Sequence, residues 1–364
     1  MINFIKEFLC STLNKVKNIV NICKLYIKPL RKTDRPVLIV IIKDFNHGRY
    51  AFQLLNYLTK AGFDIYLSKS TNFLRNLHNY DRLIFQIPNV QILKKKDFHK
   101  LPIPTLLRVN YTEKDISDAG FKKILNIDFD YFVHKIDESC VLKIPYFMHP
   151  LISKLNDLGL NKNWEHKRGV FFYGQDDLLS EDILWAKFKL NSRASVFSFL
   201  QMSDLKMLKP ESFDELMSMI EVRDNEFYFI DGKKFRIPPE NWLNVLSSFR
   251  FFIATPGMIM PQCHNLVEAI SMGVIPILQN PSKFLDGLED NINCLSFTNI
   301  DELPSVIHHA ISMSENEISR ISKNVIQFYK NNIDPLSFMQ LIDKSECKRL
   351  RLLYNAEEIS LKNL

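Results

Sequence analysis

The chain has 364 residues, 46% of them apolar and 24% charged. At about 150 residues per domain this is material for two cores, and it excludes a disordered chain. Its longest unbroken apolar run, residues 37–42, falls far short of the ~20 residues of a bilayer-spanning helix. Glycine is scarce, 10 in all, and neither a Gly-x-Gly-x-x-Gly nor a Gly-x-x-x-x-Gly-Lys motif occurs. Dinucleotide fingerprints and P-loops, which need glycine for close approach of the backbone to phosphate, are therefore unsupported. Six cysteines are scattered without a Cys-x-x-Cys pair, a pattern that argues against a disulfide scaffold and a thiolate zinc site and suits a reducing cytosol.

The net charge of +6 is local. Residues 1–32 carry Lys6, Lys15, Lys17, Lys24, Lys28, Arg31 and Lys32 against the single acid Glu7, and the rest of the chain balances. A basic N-terminus on a neutral body gives no reason to expect nucleic-acid binding. The same segment has apolar residues at spacings of three and four, among them Leu13, Val16, Ile19, Val20, Cys23 and Tyr26. This predicts an amphipathic helix over 1–32. Two roles stay open: packing on the body of the protein, or lying in an anionic membrane surface, with the one-sided charge favouring the second.

Val37–Ile42 reads as a buried parallel strand. Asp44-Phe-Asn-His-Gly48 follows as a loop, then a helix from Arg49 to Lys60 and a second strand, Phe63–Leu67. This β-α-β unit opens an α/β domain over 33–150. Further strands are expected at Arg82–Gln86, Thr105–Val109 and Tyr131–His134. Lys94-Lys95-Lys96 reads as a solvated turn, and the proline-bracketed Pro145–Pro150 as a hinge. Past it the alternation restarts over 151–330: strands at Gly169–Tyr173, Val196–Phe199, Phe249–Ala254 and Val274–Leu278, and helices at Asn241–Ser248, His264–Met272, Asp301–Ser312 and Glu315–Lys330. The tail, 331–364, is expected to be helical. The fold class expected is thus α/β, with two domains facing a ligand cleft outside the carboxyl ends of their strands.

The most informative stretch runs from Phe249 to Leu278: strand, Thr255-Pro256-Gly257 loop, helix, Gly273, strand. A loop feeding a helix N-terminus offers free N–H groups and positive dipole to a diphosphate. Gly257 would admit it closely, and Glu268, one turn into the helix, would accept from ribose hydroxyls. An ordinary β-α-β element with a surface glutamate has the same spacing.

Residues 248–257 and 265–277 resemble the donor-binding half of GT-B glycosyltransferases, in particular the exostosin-like branch, and Arg168–Gly174 resembles the opening strand and loop of that domain. The resemblance implies two Rossmann-like domains and transfer of a sugar from a nucleotide-sugar donor to a glycan or lipid-linked acceptor, as in surface polysaccharide synthesis. Inversion of configuration, no metal and no cofactor, and a cytoplasmic place, peripheral on the membrane through residues 1–32, complete the expectation. A nucleotide-sugar epimerase of the same fold and a catalytically silent scaffold subunit are the alternatives. The donor side would comprise Gly174, Thr255, Gly257, His264, Asn265 and Glu268. Asn265 stands where the branch often has a basic residue, so Arg168 or Arg193 would supply the missing cation. A base is needed on the acceptor side. Asp44 or His47 would fill that role, unless Asp44 merely caps the following helix. His149 at the hinge reads as structural. Asp128-Phe-Asp130 has metal-diphosphate spacing but lies in the wrong half for it.

Overall fold

The computed structural model describes residues 2–27, 34–42, 49–68, 71–109, 120–132, 140–155, 167–175 and 181–362. The chain forms two compact units: Met1–Pro145 with Asp334–Leu364, and Tyr146–Ile333.

The first unit is built on a parallel sheet of β1 (Val37–Ile42), β2 (Asp64–Leu67), β3 (Val90–Ile92), β4 (Thr105–Val109), β5 (Ile124–Asp128), β6 (Val141–Lys143) and, from the returning chain, β12 (Arg349–Leu353). Its order is β3-β2-β1-β4-β5-β12-β6. All six side chains of β1 are buried, as expected for a central strand covered on both faces. The helix Tyr50–Lys60 behind it has no side-chain cap of its own at Arg49. Its cap comes from afar: the buried Asp81 carboxylate accepts the Phe52 N–H at 3.0 Å.

Three expectations fail here. Arg82–Gln86 lies in a 3-10 helix, Asn79–Gln86, because Asp81 is drawn to the Phe52 amide and Arg82 bonds to Asn14 and Asn18. Of the expected strand Tyr131–His134, Tyr131 and Phe132 form a turn and residues 133–134 lie outside the described residues; the strand nearby is β5, a few residues earlier. The tail contains a helix, Pro335–Lys344, but its centre is β12, which fills the slot between β5 and β6.

The returning tail also overturns the reading of the cysteines. Cys140, before β6, and Cys347, before β12, are joined by a disulfide across a sequence separation of 207, with 5.7 Å between their Cα atoms. Spacing gave no hint of it because the partners meet only through sheet order. Bridges persist in oxidising compartments, so cysteine usage no longer points to a reducing one. Reduction, or Cys140→Ser, is expected to lower the stability of this unit by about 2–4 kcal/mol. Thermal unfolding with and without reductant measures it, and an unchanged midpoint would contradict the bridge.

The second unit is built on a parallel sheet of β7 (Arg168–Gly174), β8 (Phe227–Asp231), β9 (Phe249–Ile253), β10 (Ile275–Gln279) and β11 (Leu295–Phe297), in the order β11-β10-β9-β7-β8. Aromatic rings fill its core. Phe171 stacks on Phe249 at 4.5 Å and Phe172 on Phe229 at 5.3 Å. Val196–Phe199, whose alternation predicts a strand, is instead inside the helix Arg193–Met202, started by Ser192 accepting the Ser195 N–H. The helix His264–Ser271 ends where expected, at Gly273, whose φ of +66° favours glycine.

The strand order reverses twice, between β1 and β4 in the first sheet and between β7 and β9 in the second. At such a point neighbouring loops leave the carboxyl edge in opposite directions and open a crevice.

Candidate functional site

At the switch point of the second sheet the segment after β9 meets the segment after β7. Thr255 is buried, and its Oγ1 accepts the Arg193 Nε–H at 3.0 Å. A second nitrogen, Nη2, donates to the Pro256 carbonyl at 3.4 Å. Arg193 is the first residue of its helix and half-buried. Sixty-two residues therefore separate two groups expected on the donor side, and the fold joins them. The guanidinium has five N–H donors in a fixed plane. Among the described residues Nη1 makes no protein hydrogen bond, so the fork is held on one side and open on the other. Such a fork suits a phosphate or carboxylate.

Other groups sit at this carboxyl edge. The Gly232 N–H donates to the carbonyl of Gly174 at 2.7 Å, so the ends of β7 and β8 lie side by side. A side chain at Gly174 would collide with the Phe172 ring. Burial raises the Tyr173 hydroxyl above its ordinary pKa, against the nearby charges of Arg236 and Arg193. Gln279, at the end of β10, accepts the Asn191 N–H at 2.7 Å and donates to the Thr298 carbonyl at 2.9 Å, which fixes the approach to Arg193. Tyr173, Arg236 and Gln279 were missed in the sequence, although each stands at or just past the carboxyl end of a strand, where a ligand-facing group is expected.

The loop from β9 to the next helix is tighter than its glycine suggested. A Cβ on Gly257 would lie 2.6 Å from the Gln262 carbonyl oxygen and 3.2 Å from that of Met260. Gly257 is thus required for the loop to fold against itself, and the expected approach of a ligand to that face is corrected accordingly. The helix starts at Cys263, which offers no side-chain cap; its thiol is buried and pushed up to about 11. His264 is also used internally. Its Nδ1 pairs with the Phe147 carbonyl at 2.6 Å and its ring stacks on Tyr146 at 5.1 Å. Asn265 follows, half-buried in the first turn.

Glu268 departs furthest from expectation. It is fully buried. One carboxylate oxygen accepts the His149 backbone N–H at 2.8 Å, and the other accepts Trp242 Nε1–H at 2.6 Å. A ribose cannot reach it without displacing one of these groups. Burial raises its pKa to about 7 in spite of the two donors, each of which favours the charged form. The residue ties segment 146–149 and the helix Pro239–Ser247 to the helix that carries it. His149 contributes its amide to this tie, while its ring Nδ1 accepts the Leu151 N–H at 3.3 Å.

Arg168 is not at this site. It begins β7, paired in register with Phe249. Seven residues at ~3.3 Å place it about 20 Å from the carboxyl edge. There it donates to the Ile220 carbonyl and pairs with Asp224 at 3.4 Å. Asp44 and His47 follow β1 in sequence and lie outside the described residues. Asp128 and Asp130 are in the first unit, where Asp128 accepts the Asp130 N–H at 2.8 Å and is ion-paired with Arg351. Among the described residues no cluster of three His, Cys, Asp or Glu side chains has metal-binding geometry.

No protein-family model matches the chain, and comparison with curated proteins gives no match. Solved structures give distant likenesses. HepE of Anabaena in complex with UDP is 12% identical, with a TM-score of 0.42 over 85% of this chain and 98% of that one. A glycosyltransferase from Rickettsia africae is 12% identical, with a TM-score of 0.41 over 85% and 97%. The N-terminal domain of Candida albicans trehalose-6-phosphate phosphatase is 7% identical, with a TM-score of 0.42 over 87% and 98%. Likenesses at these scores identify neither an activity nor a substrate for this chain.

Proposed function

We propose that the chain is a GT-B glycosyltransferase that moves a sugar from a nucleotide-sugar donor to a hydroxyl of a glycan or lipid-linked acceptor, in surface polysaccharide or glycoconjugate synthesis. Transfer inverts the anomeric centre and needs no metal. The observation that carries this reading is the Arg193 fork held against Thr255 and Pro256 at the switch point of a parallel sheet. A departing nucleoside diphosphate gains negative charge, and a fixed cation at a site with few competing waters stabilises it most. Arg193 supplies in this reading the charge that Asn265 lacks. Glu268 drops out of the donor site and becomes part of its foundation. Asp128, ion-paired with Arg351 in the first unit, takes no part in the donor site of this reading.

The acceptor hydroxyl must lose a proton as it attacks. Asp44 or His47 is the proposed base, the other group orienting it. Asp44→Ala or His47→Ala is expected to reduce transfer by about 100-fold or more with nucleotide binding unchanged.

A thermal-shift panel of UDP, GDP, CMP and ADP tests the donor side. One of them near 100 times its Kd is expected to raise the midpoint by about 5 °C. No shift with any of the four contradicts the reading.

A further inference from the structure

The N-terminal helix, Ile2–Ile27, is attached to the first unit by its polar side. Asn18 is fully buried. Its Nδ2 donates to the carbonyls of Arg75 at 3.2 Å and Leu77 at 2.8 Å, and its Oδ1 accepts Arg82 Nε–H at 3.1 Å. Asn14 accepts from the same guanidinium at 2.8 Å. These bonds satisfy carbonyls left unpaired at the end of the helix Thr71–Arg75. Leu25, one helical repeat on from Asn18, is buried on the same side.

At 100° per residue this arrangement turns the apolar stripe away from the body. Leu13, Val16, Ile19, Val20 and Tyr26 are each 47–54% exposed, and Cys23 among them is exposed too. Exposed Lys17 and Lys24 flank the stripe on one side and Lys15 on the other. At its end the Lys94 ammonium lies 5.4 Å from the Tyr26 ring. This brings the Lys94–Lys96 run, expected to be a solvated turn, beside the same surface. No acid occurs between residues 8 and 33.

We infer that this face docks on an anionic lipid bilayer, with Leu13, Val16, Ile19 and Val20 among the acyl-chain boundary and the flanking lysines at the headgroups. The charge pattern selects this occupant. An apolar strip bordered on both sides by lysines, with long stems that reach outward, matches an interface of apolar chains beneath anionic phosphates. A second copy of the same helix would bring lysine rows against lysine rows. Among the described residues no helix is long and apolar enough to cross a membrane, so the helix lies on the surface. The inference is independent of the donor site, because its readout is binding alone.

The test is flotation of the full chain with phosphatidylcholine vesicles with and without phosphatidylglycerol, at low and high salt. The chain is expected to float with the anionic vesicles only, and to detach in high salt. V16D/V20D is expected to lower partitioning at least about tenfold, and Lys17→Gln or Lys24→Gln about fivefold each. All four side chains are exposed, so the thermal midpoint should not move. Failure of the wild type to float, or equal flotation of V16D/V20D, overturns the inference. So does a dimer in light scattering that V16D/V20D dissolves, which would assign the face to a second copy.

Discussion

Arg193→Ala is expected to weaken binding of the nucleoside diphosphate about 10- to 100-fold, the loss of one to two charge-assisted hydrogen bonds. Isothermal titration with whichever of UDP, GDP or ADP shifts the wild-type midpoint measures it. Folding should be nearly unaffected, because the side chain is half-buried and its hydrogen bonds among the described residues are the two to Thr255 and Pro256. Arg193→Lys should recover part of the loss. An ammonium keeps the charge but cannot hold Thr255 and present a planar fork at once. Thr255→Val keeps the shape and removes the acceptor that orients Arg193, so its effect should be smaller and in the same direction. Unchanged affinity in Arg193→Ala would remove this arginine from the site.

Glu268→Ala is expected to act on stability rather than on affinity, by about 3–5 kcal/mol. It removes packing volume and leaves the buried Trp242 Nε1–H and the His149 N–H without acceptors. Chemical denaturation measures this, with the second unit losing stability. A variant of wild-type stability that has lost nucleotide binding would restore Glu268 to the ribose.

The same burial gives a pH dependence. Glu268 and Asp81 both have pKa values raised to about 7 by burial. Between the ordinary carboxylate range and pH ~7 the folded chain keeps protons that the unfolded chain has released, so stability falls as pH rises through this window. Above it the loss is complete, on the order of 3–4 kcal/mol for each group. Urea midpoints at about pH 5.5 and about pH 7.5 should therefore differ, the lower pH being the more stable. Asp81→Asn flattens the dependence of the first unit and Glu268→Gln that of the second. Equal midpoints at both pH values would contradict the assignment.

The sequence exposes much of the frame through its periodicity. Val37–Ile42 is an unbroken apolar run, and Thr105–Val109 and Phe249–Ile253 are short apolar runs broken by one arginine each; all three are interior strands of parallel sheets. The errors arise where a distant partner decides. Asp81 and Arg82 are taken by groups on two helices, and this winds an apolar triplet into a 3-10 turn. In β12 the alternation Arg349-Leu-Arg-Leu-Leu353 conceals a central strand, since Arg351 finds Asp128 at the end of β5. Phe227–Asp231 is a miss of a different kind. Its aromatic run, bounded by Asn225 and Gly232, carried an adequate strand signal.

At the site, residue type was legible and direction was not. Arg193 and Thr255 could be proposed from chemistry and are found together. Arg168 has equally suitable chemistry and lies at the opposite end of its strand, a matter of where the strand begins. Glu268 fails for a helical reason. Its position in the turn fixes which face it occupies, and that face is covered by Trp242.

A crystal structure of the chain with the bound nucleoside diphosphate tests the central claim most directly. The account predicts phosphate oxygens about 3 Å from the Arg193 guanidinium, beside Thr255 and past the ends of β7 and β9. A diphosphate bound elsewhere, with Arg193 still turned onto Thr255 and Pro256 and touching no ligand, would contradict it.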